Sequence, residues 1–167
     1  RASLGLPGTQ ALTLGGVISC NGNLVKNGSS LLTLNGANTF GGGVVVNGGG
    51  LVLGNNSALG NGLLDINGAA TLDNSQALHA GHSILVGTGG SLSVGGSNAL
   101  TLAGVISGSG ALNKNGAATL SLGGANTFTG GLNIAAGTVA MVGGGSLAAT
   151  GAVNLSGAGA ALDLTLG

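Results

Sequence analysis

The chain has 167 residues, 39 of them glycine, with 4% charged and 1% aromatic residues and a formal net charge of 0. An average soluble domain is about 25% charged and about 7% Gly, so this is no ordinary globular composition. Apolar runs broken early by Gly, Asn, Ser or Thr exclude a membrane-spanning helix, low net charge with high hydrophobicity argues against disorder, and a single Pro without a three-residue Gly period excludes collagen.

Taken in chain order, the sequence reads as short apolar strands divided by Gly/Asn turns. Ala11-Leu12-Thr13-Leu14 and Gly16-Val17-Ile18-Ser19 come first, then Lys26-Asn27-Gly28. Strand candidates follow at Leu32-Thr33-Leu34, Val44-Val45-Val46, Leu51-Val52-Leu53 and Leu64-Asp65-Ile66. Alternation of apolar residues with Thr, Asn or Asp is the period-2 pattern of a half-buried strand. Interior glycine costs a helix about 1 kcal/mol against Ala, and no stretch escapes it for long. The pattern then starts again. Ala99-Leu100-Thr101-Leu102, Gly104-Val105-Ile106-Ser107 and Lys114-Asn115-Gly116 repeat the opening segments at an offset of 88 residues. Gly36-Ala37-Asn38-Thr39-Phe40 recurs in the same way as Gly124-Ala125-Asn126-Thr127-Phe128. Leu120-Ser121-Leu122, Leu132-Asn133-Ile134, Val139-Ala140-Met141 and Val153-Asn154-Leu155 supply the second set of strands.

Strands recurring this often give rungs of roughly 20 to 25 residues, a solenoid period. The predicted fold is all-β: a right-handed parallel β-helix of about seven to eight rungs, spanning residues 1–167 as one unit. Two related long repeats occupy about 11–73 and 99–163, with a divergent spacer at about 74–98. Each long offset is expected to hold about four rungs, which separates Phe40 and Phe128 by roughly 19 Å, so that each fills its own rung. Asn stacks are expected at the turns. A β-sandwich is the competing fold, disfavoured by the glycine density and the near absence of aromatics.

The titratable residues are few: three Asp, no Glu, two His and one Cys. A Ser/His/Asp set can be drawn from Ser83, His82 and Asp73, but no G-x-S-x-G elbow accompanies it, and the chain is not expected to be an enzyme. No complete phosphate-binding glycine motif and no Ca²⁺-binding nonapeptide occurs, so no cofactor is expected. Arg1, Lys26 and Lys114 form no basic patch for nucleic acid. His79 and His82 make an H-x-x-H pair that could be half of a metal site but reads more simply as exposed histidines on a loop between rungs. Cys20, matched by Gly108 in the second copy, reads as a small corner or core residue, and no intramolecular disulfide can form. Lys26 and Lys114 read as turn residues with their charge in water. Asn27, Asn55 and Asn154 fit the glycosylation sequon. The start at Arg1 without a signal peptide and the close in Leu164-Thr165-Leu166-Gly167 suggest part of a longer chain.

The segments LTLNGANTFGGGVVVNGGGLVL and LSLGGANTFTGGLNIAAGTVAM, each preceded by Lys-Asn-Gly, resemble the autotransporter-associated β-strand repeat, also called the passenger-associated transport repeat. Its signature is carried here by Asn38, Thr39, Phe40, Asn126, Thr127 and Phe128. Gly41, where the second copy has Thr129, and the segment from Thr71 to Val94 depart from the pattern. The resemblance implies a stalk segment of a passenger exported through its own outer-membrane barrel to the surface or exterior of a Gram-negative cell, where the repeats assist export and folding. An adhesin or self-associating module, meeting a host cell, a neighbouring cell or another copy, is the alternative. Ice binding is a lesser one, because Leu-Thr-Leu places Thr singly.

Overall fold

The computed structural model describes residues 4–6, 10–147 and 151–165; Arg1 and the closing Leu166-Gly167 lie outside them. All eight strand candidates named above are strands, every ladder is parallel, and no helix occurs among the described residues. The chain is a β-solenoid of about 7 turns, as its repeats predict.

Three sides alternate along each turn. Side A stacks Leu4–Leu6, Leu24–Lys26, Val44–Val46, Leu64–Ile66, Ile84–Val86 and Ile106–Gly108. Side B stacks eight strands from Leu12–Leu14 to Val153–Leu155, including Leu31–Leu34, Ala69–Asn74, Ser91–Val94, Ala111–Lys114 and Leu132–Ile134. Side C stacks Leu78–Ala80, Leu100–Leu102, Leu120–Leu122, Thr138–Met141 and Ala161–Asp163. In the earlier turns side C holds no strands. Backbone bonds such as Thr39 N to Ile18 O (3.0 Å) and Asn38 N to Ser57 O (3.0 Å) tie its loops together. A short pair, Ala125–Asn126 with Ser146–Leu147, continues side A, and Thr127 N donates to Ile106 O at 2.8 Å below it.

The side chains explain the stack. In Val44–Val46 and Leu64–Ile66 the outer two residues point inward and the middle one outward. Leu, Val and Ile so placed form one continuous core from Leu24 to Met141. Each such side chain contributes about 1.5–3 kcal/mol on full burial, and each coil lends its neighbour both that apolar floor and its ladder bonds.

The register corrects one expectation. Successive coils advance by 19 residues (Leu32 to Leu51) to 23 (Val139 to Leu162), and most often by 20. An offset of 88 is therefore four turns and about one side more. Leu24 lies on side A and its counterpart Leu112 on side B; Leu32 lies on side B and Leu120 on side C. The second long repeat is the first rotated by one side of the coil.

Candidate functional site: a clamp between coils

Both repeats build the same three-part contact between adjacent coils. Its first part is a buried ammonium. Lys26 follows Leu24 at the end of a side-A strand and Lys114 follows Leu112 at the end of a side-B strand, so period 2 turns both inward. Each is 1% exposed, which overturns the expectation of solvated turn lysines. Lys26 Nζ donates to Gly28 O at 2.5 Å and to Gly48 O, one coil on, at 3.3 Å. Lys114 Nζ donates to Gly116 O and, one coil on, to Ala136 O at 3.4 Å. Burial pushes both amines below their ordinary pKa. The roof of each cup is a left-handed glycine, Gly49 (φ +83°) or Gly137 (φ +70°). A β-carbon on Gly49 would stand 2.7 Å from Lys26 Nζ and 2.6 Å from Gly28 O, so the cup needs glycine for space as well as for its backbone angle.

The second part is the asparagine of Gly-Ala-Asn-Thr-Phe. Asn38 is buried; its Oδ1 accepts from Ile18 N at 2.8 Å in the coil below, and its Nδ2 donates to Ala58 O at 2.7 Å in the coil above. Asn126 does the same with Ile106 N (2.9 Å) and Ser146 O (3.0 Å), and also reaches Gly124 O (2.8 Å). One side chain thus joins three coils. Thr39 and Thr127, next in sequence, point outward and are exposed. The third part is Phe40, fully enclosed beneath Gly60, where an added β-carbon would meet its ring at 2.7 Å. Phe128 is also buried, beside Leu132, Leu147, Gly151 and Val153.

Asparagine ladders reinforce the outside. Asn47 Nδ2 donates to Asn27 Oδ1 (2.6 Å) and Asn67 Nδ2 to Asn47 Oδ1 (3.3 Å). A second ladder links Asn154 to Asn133 and Asn133 to Asn113, each at 2.8 Å. The first ladder is the expected turn stack, one residue per coil, whereas the second runs along the outward middle positions of side-B strands.

The remaining candidates are held separately. His79 sits outward on the strand Leu78–Ala80, not on a loop, while His82 is half-buried with Nε2 2.5 Å from Gly60 O. The pair does not read as two exposed loop histidines. Asp73 Oδ1 accepts from Asn74 N at 2.7 Å, and Ser83 is exposed. Cys20 occupies an exposed corner, its Sγ 3.7 Å from Gly22 O. Among the described residues no cluster of three or more His, Cys, Asp or Glu forms.

No curated protein and no solved structure matches the chain. The Passenger-associated-transport-repeat family model matches residues 24–57 and again residues 112–141. Each match opens at the strand bearing the buried lysine and runs through the asparagine and phenylalanine of the same clamp. Each clamp therefore lies in a segment similar to the passenger-associated transport repeat.

Proposed function

We propose that the chain is a structural, non-catalytic segment of an autotransporter passenger, a stalk on the Gram-negative surface that helps the passenger fold outside the cell. The observation that carries this reading is the twice-built clamp coinciding with both repeat matches. Each clamp touches only the coils next to it, so a chain leaving a narrow barrel one coil at a time can complete each contact as the next coil emerges. Stability gained outside then opposes backsliding. Sparse charge and a lone cysteine suit passage through such a pore.

The test is surface display. The segment is joined to an outer-membrane barrel domain, with and without residues 24–57 and 112–141, and surface exposure is followed by protease accessibility. Slower or reduced display without the repeats is expected; unchanged display overturns the reading.

A second reading, self-association through the coil faces, is favoured by the outward, exposed Thr39 and Thr127 and by the exposed Asn47 and Asn67 of the outer ladder. Concentration-dependent light scattering is its signature, and a monomer at every concentration rules it out.

A further inference from the structure

The spacer between the repeats lacks their signature, yet it carries a polar arrangement that they do not. Asn74 is 3% exposed at the end of the strand Ala69–Asn74. Its Nδ2 donates to Gln76 O at 2.7 Å, Ala99 O at 2.9 Å and Asn98 O at 3.4 Å. Three carbonyls around one atom fix which end of the amide is nitrogen. The other end, Oδ1, is buried and has no hydrogen-bond partner among the described residues. The contrast with Asn38 and Asn126 is direct, since each of theirs accepts a backbone N–H. Leaving a buried acceptor unmatched is costly enough that native structures rarely do it without reason.

That oxygen faces the corner at Gly96. A β-carbon there would stand 3.0 Å from Asp73 Oδ1, 3.1 Å from Asn74 Oδ1 and 3.6 Å from Asn98 O. One built on Gly95 would stand 3.6 Å from Asp73 Oδ2. The left-handed backbone of Gly96, at φ +99°, keeps side chains out of this space. One carboxylate, one side-chain amide oxygen and one backbone carbonyl thus supply the three atoms nearest this point; Asp73 Oδ1 also accepts from Asn74 N, and the Asn98 carbonyl from Asn74 Nδ2. Hard cations select such an all-oxygen set. Asp73 is half-buried, which leaves a side open for entry and for water ligands.

We propose that Asp73 and Asn74, with the Asn98 carbonyl across Gly96, form a binding site for a divalent cation of the calcium class. With one carboxylate and an incomplete protein shell, its affinity belongs in the weak range of extracellular modules, about 10⁻⁴–10⁻³ M.

Calorimetric titration of the metal-stripped chain with CaCl₂, and separately with MgCl₂, at constant ionic strength tests this. One saturable Ca²⁺ site in that range is expected, with weaker Mg²⁺ binding and a melting temperature that rises with Ca²⁺. Asp73→Asn should weaken binding at least tenfold, whereas Asp163→Asn, at an exposed carboxylate held by Thr165, should leave it unchanged. Should Asp73→Asn not fold, crystals of the unaltered chain soaked in TbCl₃ locate the ion by anomalous scattering. A peak between Asp73 and Asn74 supports the site. No saturable Ca²⁺ binding at about 10 mM, tenfold above that range, an ordered water alone at the corner, or a peak elsewhere overturns it.

Discussion

The repeat at 24–57 begins on side A of the coil and the repeat at 112–141 begins on side B, yet the two make the same contacts. Lys26 reaches across its turn to the next coil as Lys114 does, and Asn38 and Asn126 each bolt the coil below to the coil above. The clamp therefore depends on the spacing between adjacent coils, about 4.8 Å, and not on which side bears it. Nearest-neighbour contacts of this kind make a repeat portable along a solenoid. The surroundings still differ. Phe40 is fully enclosed, whereas Phe128 borders a small gap lined by Leu132, Leu147, Gly151 and Val153.

The largest expected effect separates the two aromatics. Phe40→Ala should cost about 3–5 kcal/mol, and Phe128→Ala less, because Phe128 already borders a small gap; denaturant melts of both variants measure the difference. Asn38→Ala and Asn126→Ala come next. Each orphans a backbone N–H below and a carbonyl above, at about 1–3 kcal/mol for each buried group left unmatched, and chemical denaturation should give similar losses for the two. A loss at one site alone would mean that the clamps are not equivalent.

Lys26→Met and Lys114→Met probe the ammonium cups through pH. An unfolded lysine titrates near about 10.4, and burial lowers the folded value. The unfolded state thus binds more protons between the two values, so the lysines' contribution to stability rises as pH is raised through that interval. Thermal melts of the parent chain should show this rise, and the double Met variant should not. The smallest effect belongs to the outer ladder: Asn47→Ala should change stability by no more than about 0.5 kcal/mol, since its partners Asn27 and Asn67 stay in water.

Much of this architecture was legible in the residues. Leu-Thr-Leu and Val-Val-Val between Gly/Asn turns can be little else than short, half-buried strands. Gly-Ala-Asn-Thr-Phe at a fixed offset marked the second copy. The buried lysines were missed although their signal was present. In Leu24-Val25-Lys26 and Leu112-Asn113-Lys114 the period of 2 sets lysine on the leucine face, and only the habit of placing lysine in water argued otherwise. The rotation was also written in the chain, because Asn27, Asn47 and Asn67 recur every 20 residues, and 88 is not a whole multiple of 20. The missing side-C strands of the early turns had no local signal. Gly16-Val17-Ile18-Ser19 and Gly104-Val105-Ile106-Ser107 read alike, yet only Ile106–Gly108 is a paired strand, because its neighbour on side A is already in register. The corner at Gly96 was equally hidden, since its oxygens come from separate coils.

The rotation is most directly tested by cysteine cross-linking in a Cys20→Ser background. Adjacent parallel strands lie about 4.8 Å apart, within disulfide reach. Asn113→Cys should cross-link to Ser93→Cys, its side-B partner, and not to Leu85→Cys on side A. Cross-linking of position 113 to position 85 in preference to 93 would place the second repeat on the same side as the first and contradict the account.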